Sequence, residues 1–597
     1  MRVGVDTGGT FTDFVEWDGK QVHTHKVRSS PEDPSAAILG GLPSDAQEVI
    51  HGSTVATNAL LERKGARTAF IATEGFEDLL EIGRQNRRSL YDWLDAGRIP
   101  LVDRELRLGA PERTLADGSV EKPLAADDID RLVAQVKRLE AQSVAVCLLH
   151  SYARPDHEQQ LGQALRNAGL FVSLSSEILP EYREYERAST TAVNAYVSPR
   201  MAGYLERLAA QLPRRARLRV FQSNGGSMSA EQAGREAVRT VLSGPAGGVQ
   251  GAVEVARAAG YERIISFDMG GTSTDVSLYE GRFEYASETE LADCPVRVAM
   301  LDIHTVGAGG GSIAWFDPGG ALRVGPESAG ADPGPVCYGS GDRITVTDAN
   351  LLLGRIDPAS FLGGRMALDV DRAARAMEAM AARAGVSPQE LAEAILSAAN
   401  SNMERAIRRI SLERGKDPRD MALVAFGGAG PLHACALAER LEMRTVLAPR
   451  HAGVLSALGM LTADFVRDHS ANLLDQDAAT VFAELESAAR EELEAEGFSQ
   501  ARLERSLDLR YRGQSYEISV PWAERDRFDE AHERLYGYRH HGRAHEAVTA
   551  RLRANGVSER PPVRLDGEGE APEFSSIYAP PGWSRRLNAQ GDTVLTR

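Results

Sequence analysis

Asp6-Thr7-Gly8-Gly9-Thr10-Phe11-Thr12-Asp13 and Asp268-Met269-Gly270-Gly271-Thr272-Ser273-Thr274-Asp275 are two copies of one eight-residue pattern, agreeing at six positions. Each copy follows an apolar, strand-like run, Val3-Gly4-Val5 in the first and Ile264-Ile265-Ser266-Phe267 in the second. Each is followed by another short apolar strand and a Gly-containing turn, Trp17-Asp18-Gly19 or Tyr279-Glu280-Gly281. Two strand–turn–strand units with a Gly-Gly-Thr turn between carboxylates make two jaws, and phosphate chemistry can sit between them.

The residue types suit that chemistry. Paired glycines permit positive φ and leave no side chain in the way, so backbone N–H groups approach phosphate oxygens closely. Thr10, Thr12, Thr272, Ser273 and Thr274 add hydroxyl donors without adding charge. Asp6 and Asp268 repel a polyphosphate directly and become useful when Mg²⁺ lies between carboxylate and phosphate. Asp13 and Asp275 have two readings, as groups that order the attacking molecule or as caps of their own turn, with the structural role favoured for Asp13.

Composition sets bounds. At 597 residues the chain exceeds one ordinary core, and two to four domains are expected. The formal net charge of −17 argues against nucleic-acid or anionic-membrane binding through bulk electrostatics, although Arg214-Arg215-Ala216-Arg217 forms a local basic cluster. No apolar run approaches the ~18–20 residues that cross a bilayer. The chain opens directly on a strand, which predicts no signal peptide and a cytoplasmic protein. Cys147, Cys294, Cys337 and Cys435 are far apart, with no C-x-x-C pair, and read as reduced thiols.

Strands and helices alternate along the chain, predicting an α/β fold with helices on the faces of mixed or parallel sheets. Residues 48–54 read as a strand into a polar turn, 58–63 as a helix, 68–73 as a buried strand, 132–141 as an amphipathic helix and 144–149 as a central parallel strand. Residues 187–208 read as a helix interrupted at Ser198-Pro199, and 560–581 as loosely ordered. A third glycine cluster, Gly427-Gly428-Ala429-Gly430-Pro431, joins the strand at 423–426 to a helix over 432–441. Such a turn sets a helix N-terminus and bare backbone against a ligand. It has neither Walker A nor G-x-G-x-x-G spacing. After two phosphate-type turns it reads as an adenosine-side clamp through Gly427, Gly428 and Gly430.

With these three elements the chain resembles the actin, heat-shock-chaperone and sugar-kinase ATPase superfamily, and within it is similar to the hydantoinase A and 5-oxoprolinase family. The resemblance runs through residues 3–15, 51–64, 180–196, 222–226, 243–251, 267–276, 302–313, 324–353, 426–433, 452–461 and 508–518. It implies two actin-like (ribonuclease H-like) ATPase lobes around a nucleotide cleft plus a C-terminal β-rich segment, divided as residues 1–180, 181–490 and 491–597. It also implies ATP and Mg²⁺, a cyclic amide or ketone substrate, and a B-type hydantoinase subunit as partner in a hetero-oligomer, or a homodimer. The region after Val563 is shorter than is usual in the family.

The implied reaction is chemically sensible. A lactam or hydantoin amide is resonance-stabilised and a poor electrophile. Transfer of the γ-phosphoryl of ATP to its carbonyl oxygen makes an imidate-type phosphate that water attacks, and such transfer needs mainly positioning and charge neutralisation. Asp6, Asp268 and Asp275 are the expected catalytic residues, with Asp6 and Asp268 on Mg²⁺ or its waters. Gly8, Gly9, Thr10, Thr12, Gly270, Gly271, Thr272, Ser273 and Thr274 are expected on the phosphates.

His51, Asp302 and His304 sit beside small hydroxyl residues at strand ends and suggest a second site for a divalent metal or substrate carbonyl. Arg183-Glu184-Tyr185-Glu186-Arg187 reads either as a salt-bridged helix start or as a cleft wall. Gly309-Gly310-Gly311-Ser312 and Ser243-Gly244-Pro245-Ala246-Gly247-Gly248 read as phosphate contacts or as hinge turns. Cys337 has no base attached by sequence and is not expected to be a nucleophile. Three function classes follow: an ATP-dependent cyclic-amide hydrolase with a ketone-carboxylase variant, a chaperone-like switch, and a sugar-kinase-like phosphotransferase. The switch is disfavoured, because the C-terminal segment carries the hydantoinase-type Asp508-Leu509-Arg510-Tyr511-Arg512-Gly513-Gln514 instead of a peptide-binding domain and lid.

Overall fold

The computed structural model describes all residues except 9–10, 30–33, 87–90, 92–97, 214–215, 287, 360, 362–363, 365, 474–475 and 562–575. Gly9, Thr10, the Arg214-Arg215 cluster and most of the stretch expected to be loosely ordered therefore lie outside the described residues.

Each eight-residue pattern folds as a hairpin. Strand β1 (Arg2–Thr7) pairs antiparallel with β2 (Phe11–Trp17), which pairs antiparallel with β3 (Val22–Arg28). On its other side β1 pairs parallel with β4 (Glu48–Gly52), and β4 pairs parallel with β5 (Arg217–Phe221). The second pattern repeats this arrangement. Strand β6 (Arg263–Met269) pairs antiparallel with β7 (Thr274–Glu280), and β7 antiparallel with β8 (Ile303–Val306). Strand β9 (Ala422–Phe426) lies parallel to β6, and β10 (Thr445–Ala448) parallel to β9. Both sheets thus contain the order third, second, first, fourth, fifth, with matching strand directions. The likeness visible in eight residues extends to two five-strand units.

The remaining strands interweave the chain. The first sheet has ten strands and continues beyond β5 through Ser227–Ser229, Phe465–Asn472, His545–Gly556, Ala501–Tyr511 and Ile518–Pro521. The second has seven and takes Thr593–Thr596 and Ser584–Leu587 beside β10. Strands from all three sequence segments therefore share the first sheet. A separate parallel sheet of Phe171–Leu174, Ser143–Cys147, Thr68–Thr73 and Arg107–Ala110 contains the central strand expected near residues 144–149.

Between the two large sheets lies a core built from both, including Val15, Ile50, Phe221, Ile264, Val424, Phe426 and Leu447. Two helices run through it, Ser243–Ala258 and Leu455–Thr462. Their backbones touch. A Cβ on Gly459 would lie 1.9 Å from the Gly247 carbonyl oxygen, and one on Gly251 would lie 2.4 Å from that of Leu455. Gly4 of β1 has the same relation to Ala457, at 2.2 Å. The run at 243–248, expected as a phosphate contact or a hinge turn, is the first part of the helix Ser243–Ala258, and its Gly247 serves this close contact.

The helix expected over residues 187–208 spans Glu184–Gln211 without interruption, with Pro199 inside it. Residues 185–198 are buried on every side, and packing of this helix against the smaller parallel sheet, the strand Cys294–Val296 and neighbouring helices outweighs the lost hydrogen bond. The charge-dense run at its start is a buried ionic joint. Arg187 is fully buried and donates to Ser151 Oγ and to the Leu148 carbonyl, each at 2.7 Å. Glu186 accepts both ends of the Arg84 guanidinium, at 2.7 and 2.6 Å. Arg183 reaches Glu517 at 2.7 Å, and the neighbouring Glu181 holds Arg551 at 2.7 and 2.8 Å, fastening this helix to the C-terminal strands. The four cysteines are free and buried, and burial together with Asp348 pushes the Cys337 thiol far up, which leaves it unreactive.

Candidate active site

The two hairpin turns are equivalent in register. Asp6 lies opposite Asp13 across β1 and β2, and Asp268 lies opposite Asp275 across β6 and β7. Gly8 N–H donates to the Phe11 carbonyl at 3.0 Å, and Gly270 N–H donates to that of Ser273 at the same distance. Gly271 and Thr272 at the second tip are exposed.

Each turn is braced from behind. In the first, Ser29 Oγ donates to the Gly8 carbonyl at 2.8 Å and pairs with Thr12 Oγ1 at 3.0 Å. In the second, Gly310 N–H donates to the Gly270 carbonyl at 3.0 Å and Gly311 N–H to that of Gly271 at 2.7 Å. The fit admits no side chain, since a Cβ on Gly309 would lie 2.6 Å from the Gly271 carbonyl carbon. The glycine run at 309–311 is thus the support of the second turn, and the expectation of a phosphate contact there is corrected. Thr12 and Thr274 are also corrected. Both are fully buried, and the Thr274 hydroxyl donates to the Ala308 carbonyl. Their hydroxyls are engaged by protein groups behind the turns, which stiffens them.

The carboxylates feel one another's charge. Burial, with Asp13 adding repulsion and Lys26 opposing it, lifts the Asp6 carboxyl from 3.8 to about 7. Burial lifts Asp268 to about 8, with repulsion from Asp275, Asp6 and Asp13, so charges from the first turn reach the second. Burial also raises Asp13, against the Lys26 ammonium, and Asp275, against a hydrogen bond from Thr305. Asp6 Oδ1 lies 3.1 Å from the Cβ position of Gly52 and 3.8 Å from that of Gly244, at the N-terminus of the helix Ser243–Ala258.

The Gly-rich turn lies against Asp268. Gly427 has φ +76°, and a Cβ there would lie 2.2 Å from Asp268 Oδ1 and 2.6 Å from the Met269 carbonyl oxygen. Ala429 N–H donates to that Met269 carbonyl at 3.0 Å, and Gly427 N–H to the Ala452 carbonyl at 3.1 Å. Gly428 is exposed with open space around it, and Gly430 opens the helix Gly430–Arg440.

The second site expected from His51, Asp302 and His304 is not assembled. His51 is fully buried in the first sheet, bonded through Nε2 to the Tyr204 hydroxyl at 2.9 Å, and burial drops its pKa to about 4. Asp302 and His304 belong to the edge of the second sheet, where Asp302 is taken by Arg414. Among the described residues no three His, Cys, Asp or Glu side chains are grouped to hold a metal. A divalent cation at Asp6 and Asp268 therefore needs phosphate oxygens or waters to complete its shell, which is the usual habit of Mg²⁺. The donor set fits that ion: hard carboxylate oxygens carrying raised pKa values that a cation would lower.

Sequence reasoning missed Lys26. The signal was available, because counting antiparallel pairs from the first turn sets Lys26 opposite Asp13. Lys26 Nζ donates to Asp13 Oδ1 at 2.6 Å and to the Gly453 carbonyl at 2.7 Å.

Residues 187–469 match the Hydantoinase/oxoprolinase family, and residues 2–169 match the Hydantoinase/oxoprolinase N-terminal region. The chain belongs to the hydantoinase/oxoprolinase family. It is 36% identical to caprolactamase subunit alpha of Pseudomonas jessenii, over 99% of this chain and 92% of that one. It is 35% identical to 5-oxoprolinase 1 of Arabidopsis thaliana over 98% of its own length and 52% of that protein, so it spans about half of the plant relative. Its mixed α/β fold matches the crystal structure of the ATP-dependent caprolactamase from Pseudomonas jessenii with a TM-score of 0.89, 33% identity and 100% coverage of both chains. It matches nucleotide-free acetone carboxylase with a TM-score of 0.77 and 26% identity, covering 100% of this chain and 99% of that one. Among the described residues no helix is long and apolar enough to cross a membrane.

Proposed function

We propose that this chain is the ATP-binding, A-type subunit of an ATP-dependent cyclic-amide hydrolase acting on 5-oxoproline, a hydantoin or a related lactam. The observation that carries the reading is a pair of register-matched Asp-bearing turns on two sheets that share one core, with a Gly-rich turn seated on one of the carboxylates. The two five-strand units act as actin-like lobes, and the triphosphate lies between their turns. Backbone N–H groups of the two turns, with the hydroxyls of Thr10, Thr272 and Ser273, bind phosphate oxygens. Gly427, Gly428 and Gly430, with the helix Gly430–Arg440, form the adenosine side.

Asp6 and Asp268 would hold Mg²⁺, directly or through water, and that ion supplies neutralisation of the phosphate charge. The buried hydroxyls of Thr12 and Thr274 fix the turns, so the donors are in place before the γ-phosphoryl moves to the amide oxygen. Asp275 orders the attacking group. Ring opening then yields the acid, ADP and phosphate.

A second reading, ATP-dependent ketone carboxylation, is favoured by the likeness to acetone carboxylase. It shares the phosphorylation step and differs in what attacks next. A sugar-kinase-like transfer to a hydroxyl is the third. The chain is assayed for ADP and product with 5-oxoproline, hydantoins, caprolactam and acetone plus bicarbonate, alone and co-expressed with a B-type subunit. Ring-opened acid with ADP and phosphate, formed only with the partner, is the expected result. A carboxylated ketone selects the second reading, a stable phosphorylated product the third, and full lactam turnover by this chain alone removes the partner.

Proton release is a further expected result. At pH 7 Asp6 and Asp268, at about 7 and about 8, hold protons in the ligand-free protein. A cation favours the ionised carboxylates, so Mg²⁺–ATP binding at pH 7 releases on the order of one proton, and at pH 9.5 almost none. Titration calorimetry in buffers of different ionisation enthalpy measures this directly. Equal release at both pH values would separate the carboxylates from the ligand site.

A further inference from the structure

The two hairpin units match strand for strand, yet they differ where the third strand faces the second carboxylate. In the first unit Asp13 faces Lys26 across β2 and β3. In the second, Asp275 faces Thr305 across β7 and β8. A cation in one unit is replaced by a hydroxyl in the other.

The surroundings make this difference consequential. The Lys26 side chain is only 12% exposed, while Thr305 lies at the surface and donates to Asp275. The Lys26 ammonium donates both to the Asp13 carboxylate and to the Gly453 carbonyl. Gly453 follows Ala452, whose carbonyl accepts from Gly427 N–H, and Gly427 abuts Asp268. One side chain of the first sheet therefore connects the first turn to the segment behind the Gly-rich turn of the second. The ammonium charge opposes burial at Asp13 and burial with repulsion at Asp6 and Asp268, and among the described residues no ion pair satisfies Asp275.

We propose that Lys26 is a positioning residue for the terminal phosphate of the nucleotide, acting through Asp13 and Gly453. It offsets carboxylate charge on the floor of the crevice and fixes the first turn relative to the Gly-rich turn. Its effect is local to the phosphate end, because the adenosine side is formed by backbone that keeps its own hydrogen bonds. This inference rests on the nucleotide reading above.

The test compares binding of adenosine, ADP and ATP, the nucleotides with Mg²⁺, to the full chain and to Lys26→Met and Lys26→Arg by titration calorimetry. Lys26→Met weakens ATP by about tenfold or more, ADP less, and adenosine not at all, as loss of one nearby charge requires. Lys26→Arg, which keeps the cation and its donors, recovers most of the ATP affinity. A general structural role would lower all three affinities alike or leave Lys26→Arg as impaired as Lys26→Met, and either outcome overturns the proposal. If Lys26→Met does not fold, Lys26→Gln takes its place, since it removes the charge and keeps a polar N–H donor on a side chain one bond shorter. A native chain that binds no ATP refutes the nucleotide reading itself, and this proposal with it. Native ATP binding with an unchanged Lys26 variant refutes only the role of Lys26.

Discussion

Asp268→Ala abolishes ATP turnover, by on the order of a thousandfold, and leaves the protein at least as stable as the native chain at pH 8. The first half follows from the proposed role, because a carboxylate that neutralises phosphate charge through a cation acts where the transition state is most charged, and removing one such group costs ~10²–10³ or more. The second half follows from electrostatics. Burial, with repulsion from Asp275, Asp6 and Asp13, holds Asp268 at about 8 against an ordinary 3.8. A carboxyl whose folded pKa is raised is neutral at low pH and costs nothing there. Its penalty grows as pH climbs from about 4 towards 8, where the unfolded chain ionises it freely. Alanine removes that penalty along with the charge. Thermal melts at pH 5 and pH 8, without ligand, should show the variant losing less stability between the two than the native protein. A fully active Asp268→Ala enzyme removes the aspartate from the mechanism, and a variant that melts far lower at pH 8 removes the electrostatic account.

Gly427→Ala has an effect of similar size by a different route. A methyl group at Gly427 would lie 2.2 Å from Asp268 Oδ1 and 2.6 Å from the Met269 carbonyl oxygen, so either the aspartate or the turn must move. The backbone at φ +76° adds ~1–2 kcal/mol of strain for a residue with a Cβ. The expected result is a folded protein whose ATP affinity and turnover both fall by about a hundredfold, since a misplacement of about 1 Å at a reacting centre costs that much. Gly428 provides the control. Nothing lies within 4 Å of its Cβ position and its φ is unexceptional, so Gly428→Ala leaves the fold unchanged and perturbs only ligand contact. Equal, small effects of the two substitutions would show that the Asp268 carboxylate need not stay where the turn holds it.

The two turns were legible in the sequence because their chemistry is local. A strand, a Gly-Gly tip and a returning strand lie within twenty residues, and the period of two sets the aspartates opposite each other. The strand, Gly-rich turn and helix around residues 427–430 were legible for the same reason. The run at 309–311 was misread because a glycine cluster suits a ligand or a backbone neighbour equally, and only the fold brings it behind Gly270 and Gly271. His51 suffered likewise: a strand-end histidine looks the same whether it faces a ligand or, as here, a tyrosine in the core. Pro199 was expected to break a helix that burial sustains. The joining of strands after residue 491 to both sheets is a long-range pairing that no local pattern encodes.

The contact between the helices Ser243–Ala258 and Leu455–Thr462 bears on the spacing of the two hairpins. With Gly247, Gly251 and Gly459 the two backbones meet directly, and Gly4 brings β1 equally close. Hydrogen atoms in place of side chains thus act as the shims that gauge how far apart the two aspartate-bearing hairpins stand. On the proposed nucleotide reading, the room for a triphosphate is set at positions remote from the two turn tips.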